Sequence, residues 1–261
     1  MRQIVAVDRS SSVDMRPSGE RKKVRTLVDD AVEQVGRAIV WGRYPPDATL
    51  PVEAEIAAEL GVGRNVVREA IKILSAKSLV LAGRGTGMMV LPRGEWNYLD
   101  PDVIQWNLDH PELRDELIDE LSALRAIIEP QVAALAATAA TTVEVLRLFE
   151  AYERMENAPD KFAGIEADVL FHRRLFEACH NKMLLSLMRT VFVVLRANFE
   201  LAIEVDYAAS RYPDDHKLVA EAIHQRDPER ARAIMTALLD KNIENVATMR
   251  HARSRLGDQA L

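Results

Sequence analysis

The strongest constraint on how this chain folds is the tripeptide Gly61-Val62-Gly63, set between two short stretches that read as helices. Glycine tolerates left-handed backbone, so two glycines within three residues mark a tight turn. Before the turn, Val52 to Leu60 has helical spacing and follows Pro51, a residue suited to a first helical turn. After it, the stretch from Arg64 to Ser78 places Val66, Val67, Ala70, Ile71 and Leu74 on one face, with Arg64 and Arg68 one turn apart on another. Upstream, Leu27, Val28, Ala31, Val32, Val35, Ile39 and Val40 predict a helix over 24–42, ended by Tyr44-Pro45-Pro46-Asp47. Downstream, Leu79 to Ala82 and Met88 to Leu91 predict two short strands, joined by the glycine-rich hairpin Gly83-Arg84-Gly85-Thr86-Gly87. Helix, helix, turn, helix and hairpin in that order outline a winged helix-turn-helix with a small β wing over residues 24–93. A polar, aperiodic arm precedes it at 1–23.

Charge separates this unit from the rest. The net charge of −6 disfavours a polyanion at first sight, but residues 1–93 carry 15 Lys/Arg against 11 Asp/Glu. The remaining residues carry 19 against 29, so the acidity belongs to the second part. Between Val62 and Arg93, six basic residues (Arg64, Arg68, Lys72, Lys77, Arg84 and Arg93) face one acid, Glu69. In a helix-turn-helix the second helix enters the major groove by its N-terminal end, which here bears Arg64, Asn65 and Arg68. Arginine makes two hydrogen bonds to guanine and asparagine two to adenine, so these residue types suit base reading. Arg84, at the wing tip, is placed to meet the minor groove or phosphate.

Beyond Pro92 the pattern changes. Residues 94–112 read as a linker containing Trp96 and Trp106, and residues 113–250 as an all-helical bundle, followed by a tail at 251–261. The bundle's helices are predicted over 113–138, 142–156, 159–179, 183–205, 211–224 and 228–250, with no strand pattern and with breaks at Thr141, Pro159, His180-Asn181 and Asp227-Pro228 that each carry helix-start chemistry. The fold class is thus mainly α. The single cysteine, Cys179, excludes a disulfide framework and a four-cysteine zinc site. No run approaches the ~18 apolar residues of a membrane span, and the opening residues lack the apolar core of a signal peptide. A cytoplasmic protein with no membrane partner is expected.

The motifs are specific enough to suggest kinship. Leu50-Pro51, Glu53, Glu55-Ile56-Ala57, Leu60-Gly61-Val62-Gly63-Arg64, Val67-Arg68-Glu69-Ala70 and Gly85-Thr86-Gly87 resemble the DNA-binding domain of the GntR superfamily over about 25–92. The pattern departs at Gly63, where serine is usual, and at Ala54, where several members place a DNA-contacting arginine. The resemblance implies DNA binding through Arg64, Asn65, Arg68, Arg84, Glu53 and Thr86. In the second part, Arg125-x-x-x-Glu129, Asp168-x-x-Phe171-His172-x-x-Leu175, His180-Asn181 and His216 with Ala222-Ile223 resemble the FadR-type effector domain, or FCD domain.

Chemistry and resemblance together nominate a second site. Asp168 and His172 lie one helical turn apart, where a carboxylate oxygen and an imidazole nitrogen converge on one cation. His216 supplies a third ligand for a divalent metal such as zinc. A fourth family ligand, a histidine, is replaced by Leu238, leaving a metal-free pocket as the competing reading. Arg125 either pairs with Glu129 four residues on or clamps an effector carboxylate with two hydrogen bonds. Asn181 either caps the following helix or touches the pocket. The linker stretch Trp96-Asn97-Tyr98-Leu99-Asp100-Pro101-Asp102-Val103 with Trp106 is similar to that of a sugar-acid-responsive branch of the superfamily. The expectation is therefore a homodimeric regulator that binds operator DNA and is released by a small sugar acid such as an aldonate. Alternatives are another organic acid (a dicarboxylate, uronate or fatty acyl group) or a helical metal-dependent enzyme with Glu129 or Glu166 as base. The enzyme is disfavoured, because no nucleophile, phosphate loop or acid/base pair stands at diagnostic spacing.

Overall fold

A computed structural model describes residues 25–83, 87–187 and 213–258. Among them the chain is mainly helical, with one two-stranded antiparallel sheet. The winged helix-turn-helix unit, called the reader below, begins with α1 (Leu27–Val40), whose N-terminus is closed by a capping box between Thr26 and Asp29. Helix α2 (Glu53–Leu60) ends on Gly61 at φ 65°, the left-handed conformation the turn requires. Helix α3 (Arg64–Ala76) follows, then β1 (Val80–Gly83) and β2 (Gly87–Val90), paired in register Val80 to Val90 and Gly83 to Gly87. The wing tip at 84–86, with Arg84 and Thr86, lies outside the described residues, as does the arm at 1–23.

The reader's core is apolar and continuous. Val35, Ile39, Ile56, Val67, Ala70, Leu74, Leu79 and Val90 are buried in it. The linker span differs from expectation, because Trp96, Val103 and Trp106 belong to that same core. A 3₁₀ turn (Arg93–Glu95) leads to a helix, α4 (Pro101–Leu108), which the sequence reading left without structure of its own. Asp100 caps it by accepting from the amides of Asp102 and Val103, and Pro101 occupies the first helical position.

The bundle comprises α5 (Pro111–Ala139), α6 (Thr142–Glu156), α7 (Lys161–Ala178), α8 (Pro213–His224) and α9 (Pro228–Asp258). Thr141 with Glu144 caps α6 and Asp227 caps α9, as their breaks predict, while the cap of α7 is Asp160, one residue after the expected break at Pro159. Helix α5 runs through Pro130, which removes one backbone N–H from its ladder. Helix α9 continues past 250 into the expected tail, since no glycine or proline interrupts it before Gly257. Residues 182–187 begin a helix; the rest of the segment expected over 183–205 lies outside the described residues. A core of Val132, Leu148, Phe171, Phe176, Ile223, Met235 and Leu238 joins α5 to α9. Between the two units, Ile104 and Leu108 of α4 form a third apolar cluster with Leu117, Ile118 and Leu121 of α5.

Candidate DNA-reading face and ligand cluster

Helix α3 is amphipathic in the sense the sequence required. Val67, Ala70, Ile71 and Leu74 are buried against the reader core, which turns Arg64, Asn65 and Arg68 to solvent in the helix's first two turns. Glu53, at the start of α2, is paired across to α3. It accepts from Arg68 through both carboxylate oxygens, Nε to Oε1 at 3.1 Å and Nη2 to Oε2 at 2.8 Å. The hydrogen bonds and charge of Arg68 lower the Glu53 pKa, and Arg68 is raised in return. Such a fork fixes the plane of the guanidinium. Of the other basic residues, Lys72 pairs with Glu69 and Lys77 is drawn away to Asp100 and Asp102.

The second site assembles from three helices. Helix α5 contributes Arg125 and Glu129, α7 contributes Asp168 and His172, and α8 contributes His216, all buried. Arg125 Nε donates to Glu129 Oε1 at 2.6 Å. Glu129 Oε2 lies 2.7 Å from His172 Nδ1, close in distance but not aligned as a hydrogen bond. On the other side of the imidazole, His172 Nε2 faces Asp168 Oδ2 at 3.8 Å, and His216 Nε2 lies 3.0 Å from Asp168 Oδ1. The ring of Phe171 stands edge-on to His216 at 4.9 Å and walls the cluster. Burial works to raise the Glu129 carboxyl, but the charges of Arg125 and His172 override it and hold its pKa at about 2. Asp168 is likewise lowered, its burial outweighed by His172, His216 and Arg125.

Three features of this cluster bear on ligands. Donor atoms of Asp168, His172 and His216 all lie within 4.8 Å of one another, an N/O set that fits a divalent cation. His172 Nε2 and Asp168 Oδ2 face each other while buried without a hydrogen-bond partner, as two ligand atoms awaiting a shared cation would. Glu129, on the far nitrogen of His172, is placed as the carboxylate that orients a metal-binding imidazole. The sequence reading did not link Glu129 to His172, because the two are 43 positions apart and no local spacing joins them. Leu238 is fully buried in the bundle core. Asn181 is not brought into the cluster: it is exposed, and its Oδ1 accepts from the amides of Met183 and Leu184 as a helix cap.

An exposed helix bearing Arg64, Asn65 and a forked Arg68, joined to a helical bundle that buries a polar cluster, fits a ligand-sensing DNA-binding protein. The comparisons agree. Residues 27–90 match the bacterial regulatory proteins of the gntR family, and residues 120–241 match the FCD domain. The galactonate operon transcriptional repressor of Escherichia coli is 36% identical over 205 residues, spanning 78% of this chain and 89% of the relative. The Uxu operon transcriptional regulator of the same organism is 33% identical, spanning 80% of each. A solved structure, described as Lar controlling expression of the Listeria monocytogenes agr system, shares the fold at a TM-score of 0.60 and 17% identity, covering 87% of this chain and 99% of that one. The chain belongs to the GntR family and carries an FCD domain; it is a transcriptional regulator and not an enzyme. No helix among the described residues is long and apolar enough to cross a membrane.

Proposed function

We propose that the protein is a homodimeric repressor of sugar-acid catabolism genes, released from its operator when a small aldonate-like carboxylate enters the FCD cluster. The observation that carries this reading is the buried guanidinium of Arg125, whose Nη2 has no hydrogen-bond partner among the described residues. A buried, charged donor left unpaired is unfavourable by about 1–3 kcal/mol or more, and an effector carboxylate relieves it with a charge-assisted bond. Asp168, His172 and His216 would hold a divalent ion such as zinc beside it. The ion supplies a Lewis-acidic point for effector oxygens, and Glu129 keeps Nε2 of His172 turned toward it. With leucine at position 238, three protein ligands leave room for hydroxyl and carboxylate oxygens of the effector. The similarity to a repressor of a galactonate operon supports a polyhydroxy acid.

Arg64, Asn65 and Arg68 read bases, and two readers are required because one recognition helix spans too few base pairs for useful specificity. A thermal-shift screen of aldonates, uronates and their keto-deoxy products, with and without chelator, tests the ligand class and the metal together. Stabilisation by an aldonate that chelator abolishes is expected. Stabilisation only by fatty acyl ligands or dicarboxylates overturns the sugar-acid reading, and chelator-insensitive aldonate binding recasts Asp168, His172 and His216 as direct ligand contacts.

A further inference from the structure

Eight residues of isolated helix are too few to persist in water, so α4 owes its structure to what it is fastened to. At its N-terminal end, Lys77, the residue that closes the recognition helix α3, donates to Asp100 at 2.8 and 3.0 Å and lies 2.7 Å from Asp102. The Lys77 side chain is 12% exposed and that of Asp100 18%, so the Asp100 arm of this clasp is shielded from solvent and salt while Asp102 closes it from the surface. The amide of Asn97 also donates to the carbonyl of Lys77.

The C-terminal end of α4 is fastened to α1. Trp106 Nε1 donates to Glu33, Trp41 Nε1 donates to the carbonyl of Trp106, and Arg37 pairs with Asp109. The indole of Trp106 lies so close over α1 that a Cβ at Gly36 would overlap its ring. The opposite side of α4, Ile104 and Leu108, packs with Leu117, Ile118 and Leu121 of α5. Arg125 follows Leu121 by one turn of that helix. From Ile118 to Arg125 is seven residues, about 10 Å of helix at 1.5 Å per residue.

We infer that α4 is a rigid strut belonging to the DNA reader, that Lys77 is the positioning residue locking it to the recognition helix, and that the seam of Ile104 and Leu108 with α5 hands ligand-driven movement to α3. The hand-over rests on the proposed reading of the Arg125 cluster as an effector site; the strut does not. A movement of α5 caused by a ligand on Arg125 meets the strut within two helical turns. With both ends of α4 fastened, the movement turns the reader as one body instead of being absorbed in a flexible connection.

The test uses the full-length chain and an operator selected by the wild-type protein from random-sequence duplexes. Hydrogen exchange is expected to show wild-type α4 amides as slow as those of α1 and α3. K77M should accelerate α4 roughly tenfold or more, and K77R should not. A wild-type α4 that exchanges like an open loop, or a K77M protein with undiminished protection, overturns the strut. Operator affinity is then read by fluorescence anisotropy with and without D-galactonate and zinc. K77M should shrink the ligand-induced change in Kd about threefold or more, and K77R should restore it. A folded K77M protein that keeps the full ligand-induced change overturns the hand-over. Should K77M fail to fold, D102N removes the exposed half of the clasp and gives the same comparison with a smaller change. A wild-type operator affinity that no sugar acid alters counts against the proposed effector, while the exchange comparison still decides the strut.

Discussion

Replacing Glu129 by glutamine should destabilise the bundle out of proportion to so small a change of shape. The carboxylate is fully buried between Arg125 Nε at 2.6 Å and His172 Nδ1 at 2.7 Å. Its pKa is held at about 2 against 4.5 for an unperturbed glutamate. At ~1.4 kcal/mol per unit, that gap favours the folded, ionised state by about 3 kcal/mol. Removing one partner of a buried pair is expected to cost about 3–5 kcal/mol, the same scale. For a chain of this size the midpoint temperature shifts by about 2–4 °C per kcal/mol, so E129Q should lower Tm by about 6–12 °C at neutral pH. Thermal unfolding followed by circular dichroism on chelator-treated protein measures this directly. The pH dependence has a definite sign. Because the folded-state pKa lies below the unfolded one, the contribution is fully present above pH ~4.5 and is lost as pH falls toward 2. The Tm values of wild type and E129Q should therefore converge on acidification. The double variant R125M/E129L, which removes both charges, should recover most of the loss. A neutral-pH Tm for E129Q within about 1 °C of wild type, or a double variant worse than the single one, would refute the account of the cluster as a coupled ionic core.

Other consequences are separable from that one. R64A and R68A should each weaken operator binding by about 1–3 kcal/mol, measured by anisotropy at fixed salt; unchanged affinity in both would remove α3 from the interface. E53Q should weaken the same complex more mildly, by loosening the fork that orients Arg68, and R68K, which keeps the charge but not the fork, should behave closer to R68A than to wild type. H172A should lower zinc content of the purified protein and abolish the aldonate response while leaving operator affinity near wild type, since its partners among the described residues, Glu129, Asp168, Phe171 and His216, all belong to the bundle; equal zinc in both proteins would exclude His172 as a ligand.

Much of the reader was legible because its information is local. Glycines at 61, 63, 83 and 87 and prolines at 45, 46 and 51 punctuate the chain where elements turn, and between them the apolar spacing leaves one assignment for each segment. The helix starts of the bundle were legible for the same reason, through Thr141, Asn181 and Asp227. Helix α4 was not, although Asp100-Pro101-Asp102 is a helix-start signal. Its apolar residues serve two different neighbours, Trp106 and Val103 facing the reader and Ile104 and Leu108 facing α5, so no single stripe stands out. For the ligand cluster, the i,i+4 pairs Arg125 with Glu129 and Asp168 with His172 were visible in spacing. The contact of Glu129 with His172 and of Asp168 with His216 depends on how three helices pack, which the order of residues does not state. For the same reason, the sequence assigned Lys77 to a basic surface when it closes on two aspartates of the next segment.

The placement of the indoles makes the joint its own optical reporter. The chain has three tryptophans, Trp41, Trp96 and Trp106, and all of them lie where the reader meets α4. Trp41 is partly exposed, beneath the Arg37 guanidinium and tilted against His110, whereas Trp96 and Trp106 are buried. The sensing bundle contributes no indole emission at all. A ligand bound among Arg125, Asp168 and His172 is therefore silent in tryptophan emission unless its effect travels to the reader, so a change in indole emission on ligand addition would report that effect and not the binding event.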